Sequence, residues 1–110
     1  MIVIAKHFFY KSYVGLCLWP FIILKDDQLK YDVVLINHER IHLEQQKELL
    51  IIPFYFIYLT EWILKSLFYL NTYKAYQNIS FEREAYAHEW NLDYPSSRKS
   101  FGFIKYLWAN

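Results

Sequence analysis

A single cysteine, Cys17, stands in the 110 residues of the chain. That excludes an intrachain disulfide and any zinc cluster built from several thiolates. A chain this short without such a staple must be held by its core, by a metal or by association. Glycine and proline are nearly as scarce, at two and three residues, so no linker, repeat or low-complexity segment divides the sequence. Residues 1–110 therefore read as one domain. An excess of either charge is missing too: 12 basic and 11 acidic residues give a net charge of +1, which offers no field to attract nucleic acid. Within the apolar region 49–70, the longest uncharged run, 49–60, has 12 residues. A membrane-spanning helix needs about 18 or more. The run VGLCLWPFIIL at 14–24 follows Lys6 and Lys11 as a signal-peptide core would, but KDDQLKYD rather than a small-residue cleavage site comes after it. It reads better as a buried strand pair, and the expected location is cytoplasmic or peripheral to a membrane.

Aromatic residues, in contrast, are abundant: four Trp, eleven Tyr and nine Phe. A core of this size does not readily enclose them all. Part of them should form a partly apolar surface that meets substrate, a partner chain or a bilayer. Residues 2–25 are rich in β-branched and aromatic types and predict two or three short strands, with Pro20 at an edge or bend. KDDQ at 25–28 is a turn. Asp32 then caps a helix over about 33–52, which Pro53 interrupts. A second helix over about 54–70 is apolar nearly all round except for a Glu61–Lys65 pair, and this predicts burial on several sides. A polar link at 71–78 leads to a third helix over about 81–91, capped by Ser80 and ended by Pro95. The basic, aromatic tail 94–110 suits an anionic membrane surface, or packs back on the domain with its lysines in water.

The stretch NHERIHLEQQ at 37–46 carries the chemistry. His38 and His42, four apart on a helix, stand one turn above each other and can direct two imidazole nitrogens at one point, as tetrahedral zinc requires. Glu39 is rotated about 100° from His38. It cannot ligate, but it borders the position where a metal would hold water, and a carboxylate there can move the proton of that water. A catalytic zinc wants three protein ligands, and cysteine is excluded by count and position. The best supply of carboxylates is FEREAYAHE at 81–89. There Glu82 shares a side with Ala85, whose small side chain permits close helix approach. Glu84 points away from Glu82 and is expected to pair with His88. Gln45 and Gln46 read as solvated polar residues, and His7 and His88 as satisfied structural histidines.

HERIH followed by Glu82-Arg83-Glu84-Ala85 resembles the gluzincin branch of zinc metallopeptidases, in its minimal single-domain form, over about residues 14–90. The resemblance implies a zincin-like α+β fold, mainly helical, with a short antiparallel sheet near the N-terminus packed on three main helices. It implies zinc as cofactor, with His38, His42 and Glu82 as ligands and Glu39 as general base for hydrolysis of a peptide or protein substrate. It also implies a substrate-holding edge strand within 15–24, beginning Gly15, Leu16, Cys17, Leu18, Trp19. Many gluzincins carry an acidic residue four after the ligand glutamate. Tyr86 stands there instead, placed to orient a histidine or to stabilise an oxyanion. Two rivals remain: a structural zinc domain with the same ligands, and a membrane-peripheral or partner-binding module in which the histidines hold no metal.

Overall fold

β-branched and aromatic residues before position 25 build a small sheet, and capped segments after it build helices. The structure, a computed structural model, describes residues 1–6 and 14–107. Expectations that fall on 7–13, His7 among them, and on 108–110 lie outside the described residues. Strands β1 (Ile2–Ile4), β2 (Gly15–Leu18) and β3 (Phe21–Leu24) lie in the order β1-β3-β2. The two-residue turn Trp19-Pro20 forces β2 and β3 antiparallel, with Cys17 opposite Ile22. β1 runs parallel to β3, with Ile2 also opposite Ile22, so the sheet is mixed and not wholly antiparallel. A strand separated from its partner by a full intervening strand is not bound to hairpin geometry. Among the described residues, β2 forms one edge of the sheet.

The fold is α+β and mainly helical. Helix α1 (Val33–Glu48) starts where expected, the Asp32 carboxylate accepting the Leu35 N–H at 3.1 Å. It ends four residues earlier than the spacing suggests. Leu50 takes φ 60° and Ile51 φ 68°, ψ −70°, with the Ile52 N–H donating to Leu50 O at 2.8 Å. This is a γ-turn with positive φ, a rare and strained conformation that costs about 1–3 kcal/mol for a residue other than glycine. The turn bends the chain by 115° into helix α2 (Ile52–Tyr69). Pro53 lies in its first turn, where a missing N–H costs nothing.

The link at 71–78 contains a short helix, α3 (Thr72–Gln77), because the Asn71 side chain accepts the N–H groups of Tyr73 and Lys74. Helix α4 (Ser80–His88) includes Ser80 instead of using it as a cap. Its N-terminus is capped from α2 by the Glu61 carboxylate, which accepts both the N–H and the hydroxyl of Ser80. Negative charge there complements the helix dipole. A short α5 (Tyr94–Ser97) and a 3-10 turn at Gly102–Tyr106 complete the described chain. The tail packs back on the domain: Phe103 joins Phe54, Ile79 and Phe81 in the core, with Phe81 lying 4.4 Å from Phe54 and 4.5 Å from Phe103 between ring centres.

Helix α2 does not follow its expectation of burial on several sides. Beside Phe54 it buries its charged pair: Lys65 donates to Glu61, to Asn78 O and to Leu107 O. Phe56, Leu64 and Leu67 face outward at 70%, 62% and 68% exposure. The helix is inverted relative to an ordinary amphipathic one.

Glu84 also departs from expectation. It is fully buried and bonds the Arg98 guanidinium twice at 2.8 Å, the Tyr94 hydroxyl at 2.7 Å and the Gln45 amide at 2.8 Å. His88 instead stacks on Tyr94 at 3.8 Å. Burial alone would raise the Glu84 carboxyl, but Arg98, Tyr94 and Gln45 together hold it below its ordinary 4.5. A folded-state value below the unfolded one gives stability that is present above about pH 4.5 and is lost as pH falls through the lower value. Glu84→Ala should cost about 3–5 kcal/mol in urea unfolding at neutral pH, because it strips a buried guanidinium of its bidentate carboxylate and leaves only the longer contact to Glu48. Glu84→Gln should flatten the acid limb of the stability profile. A loss of under about 1 kcal/mol, the scale of a surface pair, would show that the contact holds nothing together.

Candidate metal centre

Helix α1 buries Asn37, His38, Glu39, Ile41, His42, Gln45 and Gln46. All but Ile41 are polar, and a polar buried face demands partners for each group. Those of Gln46 come from β2 and the turn after it, and those of the histidines and Gln45 largely from the α4 segment, which lies along α1 where Ala85 is fully buried. Glu82 Oε1 lies 3.0 Å from His38 Nε2 and 3.1 Å from His42 Nε2, and the two Nε2 atoms are 3.2 Å apart. The three side chains, at most 4% exposed, form a group able to hold a metal ion. A tetrahedral ion with bonds of about 2.0–2.1 Å has ligand–ligand edges of about 3.3–3.4 Å. The observed triangle has to open by only a few tenths of an ångström, so the donor set fits.

The outer atoms of each donor are fixed as well. Glu89 Oε1 lies 2.8 Å from His38 Nδ1, and Gln45 Oε1 lies 2.8 Å from His42 Nδ1. Both partners are acceptors. The Gln45 orientation is set because its amide nitrogen donates to Phe81 O and Glu84. Each Nδ1 therefore carries a hydrogen, and each Nε2 is left to face Glu82. The Tyr58 hydroxyl donates to Glu82 Oε2 at 2.6 Å. Asn37 donates to the carbonyls of Glu89 and Asn91 at 2.8 and 2.9 Å, which pins the end of α4 so that Glu89 reaches His38.

Electrostatics follow from this packing. Burial would raise the Glu82 carboxyl, but His42 and His38 hold it well below the carboxylate range. Burial disfavours a charged His42, yet the charge and hydrogen bond of Glu82, with Glu39 behind, raise it to about 9. Glu39 sits above its ordinary 4.5 mainly through burial.

Glu39 does not join the triangle but borders it. A cleft of about 440 Å³ opens here between β2 and α2, lined in part by Gly15–Leu18, Glu39, His42, Glu82, Tyr58 and Trp62. A side chain at Gly15 would put its first carbon 3.1 Å from Glu39 Oε2. The absence of one lets the strand lie against that carboxylate. Trp19 is in the turn beyond β2, its N–H donating to Gln46 Oε1 at 2.8 Å, while Gln46 Nε2 donates to Cys17 O at 2.9 Å. These groups face away from β3. By antiparallel alternation the Gly15 amide groups and the Cys17 N–H share that same edge, which pairs with no strand among the described residues. Burial pushes the Cys17 thiol up, so it offers no thiolate.

No family model, curated protein or solved structure matches the chain.

The centre therefore rests on its own geometry. His38, His42, Glu82 and Glu39 are brought together, with Gly15, Leu16, Cys17 and Leu18 on the opposite wall of the cleft. Tyr86 packs its ring edgewise on His38 at 4.5 Å and bonds Tyr76 through its hydroxyl, so it supports the ring and leaves Nδ1 to Glu89. Glu89 was not foreseen, although it stands seven after Glu82 and so two helical turns along the same side. Gln45 and Gln46, expected in water, are buried partners of the site. Tyr58 carried no local signal.

Metal analysis of the purified chain should find a divalent ion, and a chelator should lower the melting temperature, since ligands from two helices are tied together. Glu82→Ala should weaken the metal by at least about tenfold and Glu89→Gln by about 10–100-fold in a competition assay. An unchanged melt at saturating chelator would mean that no metal holds this centre.

Proposed function

We propose that the chain is a zinc-dependent peptidase of the gluzincin type. The observation that carries this reading is the convergence of His38, His42 and Glu82 beside Glu39, facing the edge of β2 across an open cleft. A structural zinc site is closed by its ligands, whereas a catalytic one keeps a position open. The cleft reaching His42 and Glu82 supports the second.

Zinc held by the three residues would polarise the scissile carbonyl and lower the pKa of water to about 7. The chain's own residues supply the rest. An extended peptide pairs with the Gly15 and Cys17 edge groups up to the point where Gln46 closes the edge. Phe54, Tyr55, Leu59 and Trp62 line the apolar part of the cleft, which favours a large apolar substrate side chain. Glu39 takes a proton from water as its oxygen attacks the carbonyl carbon. It returns that proton to the amide nitrogen as the C–N bond breaks, leaving a carboxylic acid and an amine, which then ionise to a carboxylate and an ammonium group. Tyr58 is a positioning residue that fixes the Glu82 carboxylate.

Zinc-loaded protein should cleave extended apolar peptides, with products read by mass spectrometry. Glu39→Gln should abolish cleavage while metal content stays the same. Gly15→Val, which crowds the Glu39 carboxylate, should cut turnover by at least about tenfold through misplacement of the base. Cleavage that survives Glu39→Gln would refute the peptidase reading. Metal retained by a chain that cleaves no peptide in such a library would leave the structural reading in its place.

A further inference from the structure

We infer that the outer half of α2 is a lipid-facing surface that seats the protein in the interface of an anionic bilayer, with the helix lying in the membrane plane. Ile52, Phe56, Leu59, Ile63, Leu64 and Leu67 are all exposed. At 3.6 residues per turn they and their neighbours cover about half the circumference of the helix. Thr60 is the one residue with a hydrogen-bonding side chain among the exposed residues of this face after Pro53. A partner helix covers a narrower stripe, and a protein partner meets a rim of polar groups. A half-cylinder without either fits hydrocarbon. No helix among the described residues is long and apolar enough to cross a membrane, and the other half of α2 is packed on its own domain, so the helix lies flat.

Two independent observations favour lipid. The first is backbone strain. Leu50 and Ile51 before the helix and Leu70 after it take φ of 60°, 68° and 55°, where glycine or asparagine would serve a turn in water. Leu50 and Leu70 are the most exposed large apolar side chains of the described chain, at 79% and 87%. Bulky apolar groups held at strained positions at both ends of an apolar face are explained when those groups are themselves inserted.

The second is charge. From 49 to 81 the charged residues are Glu61, Lys65 and Lys74, and the first two are buried. Exposed Lys74 lies 4.8 Å over the Tyr69 ring at the end of α2. The tail, joined to the inner side of α2 through Lys65 and Leu107 O, carries Lys99 and Lys105 with no acid between 94 and 107. Lys74 on the Tyr69 ring thus sets a cation and an aromatic group at one end of the face, as an anionic headgroup layer requires. Leu59 belongs both to this face and to the cleft, so the cleft mouth opens at the membrane surface. That consequence bears on substrates, whereas lipid binding itself does not depend on the peptidase reading.

The test is flotation of the full chain with phosphatidylcholine vesicles with and without phosphatidylglycerol. The chain should float with the anionic vesicles. Phe56→Ser/Leu64→Ser/Leu67→Ser should reduce that binding by at least about tenfold with an unchanged thermal melt, since these side chains touch no core. Lys74→Glu should weaken binding to anionic vesicles more than to neutral ones. A spin label on Leu64→Cys, with Cys17 buried and unreactive, should move from water-soluble relaxants to oxygen when vesicles are added. A chain that stays at the bottom of the gradient, a triple variant that floats like the parent, or a label that stays in water would each overturn the proposal. So would a parent that is dimeric by light scattering and fails to float while the triple variant is monomeric, since the face then belongs to a second copy.

Discussion

The buried carboxylate of Glu82, wedged between two imidazoles, sets the terms for the rest of the molecule. A charge removed from water needs partners with good geometry on every side, or it unfolds its surroundings. His38 and His42 meet one oxygen and Tyr58 the other. Glu89 and Gln45 in turn hold the far side of each imidazole. Gln45 then hands on to Glu84, Arg98 and Glu48, so one network of polar contacts runs from the centre to the tail. Removing any one member leaves a neighbour buried without its partner, which is why such networks rigidify when complete.

This arrangement turns the usual distribution of polarity inside out. The interior face of α1 is polar, and α2 buries its only ion pair against the start of the ligand helix, where Glu61 caps α4. With charges spent inside, the outer half of α2 is left apolar. One physical choice thus produces both features of interest: a polar interior able to hold a cation, and an exterior suited to hydrocarbon. The cleft lies where the two meet, with polar donors at its floor and the flank of α2 as its wall.

Much of this was legible in the residues. Asp32 marked the start of α1, the four-residue spacing put His38 and His42 on one face, and the small Ala85 beside Glu82 marked the side of α4 that approaches them. Those signals are local, because capping and helical phase depend on neighbours within a turn or two. Glu89 escaped because its reach to His38 depends on Asn37 clamping the end of α4 from another helix. Glu84 was assigned to His88 by the four-residue rule, but Arg98, fourteen positions away in sequence, offered a bidentate partner that a local rule does not see.

By itself, then, the sequence determined the short strands before position 25, the three main helices, the helical phase that aims two histidines and one glutamate, and a fold that is α+β and mainly helical. Tertiary structure decided which groups complete the centre, that β1 pairs parallel to β3, that a glycine lies against Glu39, and which half of α2 faces outward. The physical reason is the range of the interactions. Backbone hydrogen bonding and side-chain periodicity act along the chain, whereas buried charge is satisfied by whatever the folded chain brings within about 3 Å. Hydropathy alone cannot separate a helix buried in protein from one that faces lipid, because both environments are apolar. Only the placement of Glu61 and Lys65 on the inside shows which half of α2 is left outside.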